Sequence, residues 1–302
     1  MKDGRTAVAD DVRHESTLAH TVGDYVALTK PRLNMLVVAT SAAGYYLGAS
    51  GPLNLPHMAA AVAGTTLVAG GAAALNQVYE RDTDALMRRT RMRPLPDGRV
   101  SAVDARVFGL LLSAGGLVLL GALVNLPATA LALTTLVVYL IVYTPMKRRS
   151  SLATLVGAVP GALPPLIGWA ASHGGLTTGG AALFLIVFLW QIPHFMAIAW
   201  LYRDDYGKAG FPMLPVIEPD GRRTGRQAVA YAAALVPASL IPTAIGLSGA
   251  VYAAFAIVLG AGLLMLAIRF AATRSDRSAR WLFFSSITYL PILWIVMMAD
   301  KL

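Results

Sequence analysis

Residues 57–86 read HMAAAVAGTTLVAGGAAALNQVYERDTDAL. The first part, 57–79, holds no Asp, Glu, Lys or Arg. A helix needs roughly 20 such residues to cross a hydrocarbon core about 30 Å thick. The run then meets Glu80, Asp82 and Asp84 at its end. A long apolar helix that stops in carboxylates reads as a membrane span delivering acids to one surface of the bilayer. Gly70, Gly71, Ala72, Ala73 and Ala74 inside it suit close contact between membrane helices.

The same apolar pattern recurs along the chain. Besides 57–79, the segments 33–50, 103–123, 126–144, 151–171, 180–201, 227–247, 250–271 and 280–299 are each about long enough to span. Pro160, Pro164, Pro165 and Pro193 fall inside them, where neighbouring helices re-satisfy the freed carbonyls. The expected fold class is all-α, a polytopic membrane protein with nine transmembrane helices. Composition agrees: 56% of the 302 residues are hydrophobic and 14% are charged, against about 25% charged in a soluble domain.

Charge placement sets an orientation. The loops after the second, fourth, sixth and eighth spans hold the arginines from Arg88 to Arg93, then Lys147, Arg148 and Arg149, then Arg203, Lys208, Arg222, Arg223 and Arg226, and last Arg274 and Arg277. The opposite loops hold no Lys or Arg, and Lys301 is the one basic residue on that side. The positive-inside rule then expects a cytoplasmic N-terminus and an outside C-terminus. It also accounts for the net charge of +9, so no nucleic acid is expected as a partner. Residues 1–22 are polar and carry Asp3, Asp10, Asp11 and Glu15. They read as a flexible cytoplasmic tail ahead of a single membrane domain, 23–302. The chain has no cysteine, which excludes disulfides, iron–sulfur clusters and thiolate catalysis.

The chemistry is expected in the basic-side loops. On a helix, Asn76, Glu80 and Asp84 share one face, at i, i+4 and i+8. Aligned oxygen side chains at a helix end suit Mg²⁺, which usually shares its shell with substrate phosphates. The bland alternative is a solvated helix end pairing with Arg81 or Arg88. Arg89 and Arg93 follow, and guanidinium forks match phosphate oxygens. A second acidic group, Asp204 and Asp205, lies between Tyr202 and Tyr206 with Lys208 nearby. Two acidic loops facing each other can clamp metal ions on one diphosphate. Lys147 and Arg148 share that side. Tyr139, Tyr143 and Trp190 offer π faces to a cation. His194 follows a proline inside a span, where it either bonds a neighbouring helix or touches substrate.

These residues are similar to those of the UbiA-type intramembrane prenyltransferases, and within them of the heme-farnesylating branch. The resemblance runs from Leu28 to Leu302. It is carried by Leu28-Thr29-Lys30-Pro31-Arg32, by Asn76 through Asp84, by Arg89-Thr90-Arg91-Met92-Arg93-Pro94, by Trp190-Gln191-Ile192-Pro193-His194-Phe195 and by Tyr202-Arg203-Asp204-Asp205-Tyr206. It implies helices around a central cavity that opens near the cytoplasmic side. It also implies farnesyl diphosphate and heme b as substrates and Mg²⁺ held by Asn76, Glu80, Asp84, Asp204 and Asp205. Lys30, Arg32, Arg89, Arg93, Tyr143, Lys147, Arg148, His194, Tyr202, Tyr206 and Lys208 would contact the substrates. The bacterial inner membrane is the implied location, with heme A synthase or terminal-oxidase assembly proteins as further partners. Two departures stand out: Glu80 occupies a position that is usually Asp, and Tyr202 and Tyr206 stand where the wider family spaces two Asp. The rival readings are a quinone-precursor prenyltransferase, a secondary transporter and a non-catalytic assembly factor.

Overall fold

The computed structural model describes residues 21–302, so the expected tail lies almost wholly outside the described residues. The long helices are α1 (Pro31–Gly48), α2 (Leu55–Leu86), α3 (Ala102–Leu123), α4 (Leu126–Met146), α5 (Ala153–His173), α6 (Thr178–Leu201), α7 (Arg222–Ala244), α8 (Ala250–Thr273) and α9 (Asp276–Ala299). Among the described residues the sole β-type pairing is an isolated bridge between Ser248 and Lys301. Eight helices, α2 to α9, are long and apolar enough to cross a membrane. α1 is outside that set, because its first turn carries Arg32 and Asn34.

Local chemistry sets the helix starts. Asn54, Ser101, Asn125 and Ser275 each accept a backbone N–H of the first turn through the side chain. Such caps satisfy donors that the helix itself cannot. Pro56 and Pro127 sit in first turns, where a missing N–H costs nothing. α2 does not stop where its apolar run ends at Tyr79. It continues through the acidic motif to Leu86, so the carboxylates stand on a rigid rod.

Small residues set the packing. Gly168 of α5 lies against the Ser41 carbonyl of α1, and Gly44 of α1 against Pro165 of α5; a methyl at either glycine would overlap backbone. Gly64 and Gly71 of α2 meet Gly116, Gly109 and Ser113 of α3 in the same way. These contacts bring helix axes close enough for dense packing without large side chains. Bulkier residues fill the other half: Ile186 and Trp190 of α6 pack with Leu235, Tyr252, Phe270 and Leu290. Leu111, Val258, Met265 and Phe284 point outward and are exposed, which suits a lipid-facing surface.

The two ends of the bundle differ. At one end, the Asn125 amide donates to the carbonyls of Ala170 and Ala171, and the Lys301 ammonium donates to those of Tyr46 and Ala49. At the other end, the loops are joined by ion pairs. α1 runs from Lys30 at the charged end to Gly48, whose carbonyl lies 3.4 Å from the His173 ring at the far end.

The glycine contacts make a prediction. Gly168→Leu should force α1 from α5 and cost about 1–3 kcal/mol, the usual penalty for overpacking. Thermal unfolding in detergent checks this, and an unchanged midpoint would show that the α1–α5 contact is not needed for stability.

Candidate active site

Helical continuation of α2 places Asn76, Glu80 and Asp84 on one face, as their spacing requires. All three are buried, at 1%, 4% and 1% exposure. A carboxylate removed from water has to find a cation or accept several hydrogen bonds. Here each finds a cation from another part of the chain. Lys147, just past α4, donates to Glu80 at 2.7 Å. Arg93, in the loop after α2, donates to Asp84 at 2.7 Å. Lys30 donates to the Asn76 side-chain oxygen at 3.0 Å. The bland alternative named Arg81 and Arg88 as partners. Arg81 instead pairs with exposed Asp82.

Three further contacts, not foreseen from sequence, hold this face in place. The Asn76 amide donates to the Thr144 hydroxyl at 3.1 Å, and that hydroxyl donates to the Tyr139 carbonyl at 2.7 Å. The Thr90 hydroxyl donates to the backbone carbonyl of Asp84. Tyr139 and Tyr143 sit on a π-helical stretch, Val138–Tyr143. Both rings lie on the same side, with centroids 5.4 Å apart. π-bulges of this kind are frequent at functional sites.

These side chains border one cavity of about 270 Å³. Its wall includes Lys30, Asn76, Glu80, Asp84, Arg89, Arg93, Tyr143, Lys147, His194 and Tyr206 from the expected set. Tyr139 and Thr90 join them, with Leu33, Phe195, Ile198 and Met213 as an apolar portion. Phe211 roofs the charged part, its ring 5.1 Å from the Lys147 ammonium. Phe211, Met213 and Met87 pack together, which ties the loop after α6 to the loop after α2.

The remaining expected residues lie off the wall. Asp204 and Asp205 open the short helix Arg203–Lys208. That helix turns Tyr206 inward, so Asp204, two positions earlier, faces out. Asp205 is half-buried. Arg32, Arg148 and Lys208 are exposed. Tyr202 stands at the rim with the Arg89 guanidinium 5.0 Å over its ring. Trp190 is buried behind the cavity and donates to the Ser286 carbonyl. His194 bonds Ser286 of α9 at 2.8 Å, as the first alternative expects, and also borders the cavity.

The electrostatics favour an anion. Burial first, and then the positive Arg93, lower the Lys30 pKa to about 7, against the pull of Glu80. Burial alone would also push Lys147 down, yet Tyr143 and the Glu80 carboxylate outweigh it and hold its pKa up. Glu80, Asp84 and Asn76 form a hard-oxygen edge. Mg²⁺ takes one or two protein carboxylates and completes its shell with phosphate and water, so this donor set fits it. Among the described residues no three acidic or histidine side chains converge on one point. Substrate oxygens would have to complete such a shell.

Residues 37–288 match the model of the UbiA prenyltransferase family. The chain belongs to this family. Curated relatives agree: the protoheme IX farnesyltransferase of Solibacter usitatus is 46% identical over 92% of this chain and 98% of its own. That of Opitutus terrae is 49% identical over 92% and 95%. Among solved structures, a digeranylgeranylglyceryl phosphate synthase superposes with a TM-score of 0.79 at 16% identity, over 93% of this chain and 98% of that one. A UbiA homolog from Archaeoglobus fulgidus, bound to GPP and Mg²⁺, superposes with a TM-score of 0.65 at 16% identity, over 91% and 99%. The protein is a multi-pass membrane prenyltransferase, which sets aside the transporter and the non-catalytic readings.

In this prenyltransferase the Glu80–Lys147 pair generates a stability prediction. The two side chains are 5% and 15% exposed. Removing one partner of a buried pair leaves a bare charge and costs roughly 3–5 kcal/mol, whereas apolar replacement of both is often neutral. Glu80→Gln should therefore lower the unfolding midpoint, and Glu80→Gln with Lys147→Met should recover most of the loss. Additive losses in that double-mutant cycle would show that the two groups do not depend on each other.

Proposed function

We propose that this prenyltransferase transfers the farnesyl group of farnesyl diphosphate to a vinyl group of heme b, with addition of water, giving heme o and diphosphate. The observation that carries the proposal is the cavity itself. It sets buried Glu80 and Asp84, already paired with Lys147 and Arg93, beside two tyrosines, an apolar wall and His194. Relatives matched over nearly their whole length bear the name protoheme IX farnesyltransferase.

Asn76, Glu80 and Asp84 would hold Mg²⁺. Of the pair at the rim, half-buried Asp205 rather than outward-facing Asp204 would serve a second cation on the same diphosphate. When bound, the metal supplies positive charge that stabilises the departing diphosphate more than the intact donor. The protein side chains do the rest. Lys147 and Arg93 exchange their carboxylate partners for diphosphate oxygens, joined by Lys30 and Arg89. Arg32, Arg148 and Lys208 attract the anion from the rim. Leu33, Phe195, Ile198 and Met213 hold the prenyl chain and keep water from the reacting carbon. Tyr139 and Tyr143 present their π faces to the allylic cation. Tyr202 and Tyr206 shape the entrance, and His194 contacts the heme.

The bond from allylic C1 to the diphosphate oxygen breaks, and C1 bonds to the terminal vinyl carbon. Positive charge passes to the adjacent carbon, where a water oxygen adds and releases a proton. We count α1 as a ninth span, with the charged end and its cavity facing the cytoplasm from the bacterial inner membrane.

Membranes containing the protein, supplied with heme b, farnesyl diphosphate and Mg²⁺, should yield heme carrying a hydroxyfarnesylethyl group by mass, and a chelator should stop the reaction. A mass shift on a hydroxybenzoate or naphthoate, with heme unchanged, would replace the heme reading by the quinone-precursor one. Asp84→Ala should abolish product while the protein still inserts. Normal yield from that variant would remove Asp84 from the metal site.

A further inference from the structure

The His194 imidazole is oriented from several directions. Trp190 and Phe283 both stack on it, with centroids 5.3 and 5.0 Å away and planes within 20° and 24°. Nδ1 lies 2.8 Å from the Ser286 hydroxyl. That hydroxyl is 2.7 Å from the Phe283 carbonyl, to which it donates. A carbonyl only accepts, so the one hydroxyl hydrogen is spent there, and the Ser286 oxygen receives Nδ1–H. This hydrogen-bond network assigns the Nδ1–H tautomer, with the lone pair on Nε2. The Trp190 indole donates to the Ser286 carbonyl at 2.8 Å and anchors the same turn of α9. The ring borders the cavity. Nδ1 is engaged with α9, and Nε2 makes no hydrogen bond among the described residues, which leaves it as the ring nitrogen open to a ligand.

We propose that His194 Nε2 ligates the iron of the heme acceptor, and that Ser286 is the positioning residue that fixes the tautomer for it. The proposal rests on the heme reading above and adds to it an atom and a partner. Neutral imidazole is the commonest protein ligand for metals, and a hydrogen bond from its other nitrogen sets ring orientation and ligand basicity. A histidine Nε2 on iron is an ordinary haem attachment. Tryptophan and phenylalanine packed on the ring hold it in one rotamer and keep water off it. Ligation from α6 would hold the iron in the cavity that Glu80 and Lys147 also border. That would fix where the vinyl groups fall relative to the diphosphate end of the cavity.

The test uses the full chain purified in detergent and titrated with heme b. The wild type should show visible and resonance Raman bands of nitrogen-ligated iron. His194→Gly should lose those bands, bind heme at least about tenfold more weakly, and regain the bands when free imidazole is added. Ser286→Ala should keep the bands but weaken binding about tenfold, in line with the loss of an outer hydrogen-bond partner; Ser286→Thr should restore it. Equal unfolding midpoints separate these effects from misfolding. Bands that persist in His194→Gly, or imidazole that restores nothing, overturn the ligation. If the wild type makes heme o while its bands match those of His194→Gly, the ligation fails and the function stands. If the wild type binds heme through His194 but prenylates only another acceptor, the function fails and the ligation stands.

Discussion

Glu80 and Asp84 are carboxylates held out of water at the end of a membrane-spanning helix, and the charged end of the molecule is organised around neutralising them. Isolated, each would carry a desolvation cost of several kcal/mol. The cation for Glu80 comes from 67 residues along the chain, so the turn after α4 has to dock on α2. The cation for Asp84 comes from the loop that directly follows, so that loop has to fold back over the helix end. Lys30 reaches the same face from the start of α1. The positions of several chain segments thus follow from one helix face. Cations on the cavity wall still exceed the acids, and the depressed Lys30 pKa reflects that surplus together with burial. A diphosphate anion is the kind of ligand that relieves it.

Much of the fold was legible because hydrophobic run length and loop charge are one-dimensional signals. The segment 103–123 became Ala102–Leu123 and 250–271 became Ala250–Thr273. Departures lay where polar residues enter a helix. α2 ran on past 57–79 through its acids, of which Glu80 and Asp84 are buried and paired while Asp82 is exposed. The shared face of Asn76, Glu80 and Asp84 was also readable, because i, i+4 spacing on a helix has one geometric outcome. Which cation meets which acid was not readable. Lys147 and Glu80 are distant in sequence, and no local pattern links them. The π-helix was hidden because its cause is tertiary: Tyr139, Tyr143 and Thr144 are held by what they face. Asp204 and Asp205 looked equivalent to the first motif as composition, yet a short helix points Tyr206 inward in their place.

The two ends of the bundle are joined by different physics, and this difference bears on how substrate enters. At the far end, side chains of Asn125 and Lys301 bond backbone carbonyls at helix ends. Those carbonyls lie where intrahelical donors run out, although the Ala170 carbonyl also accepts the Gly174 N–H, so these side chains supplement the helix ends and tie them together. At the cavity end, the joints are Lys147 to Glu80 and Arg93 to Asp84, with Phe211 and Met213 packed above. Each of these cations can trade a carboxylate for a phosphate oxygen without ever losing a negative partner. Under the proposed function, Glu80 and Asp84 would hold Mg²⁺ after the exchange, so neither carboxylate would be left bare. The ion pairs that stabilise the cavity end are therefore those that a prenyl diphosphate would replace under the proposed function, while the carbonyl-bonded end keeps the helices in register.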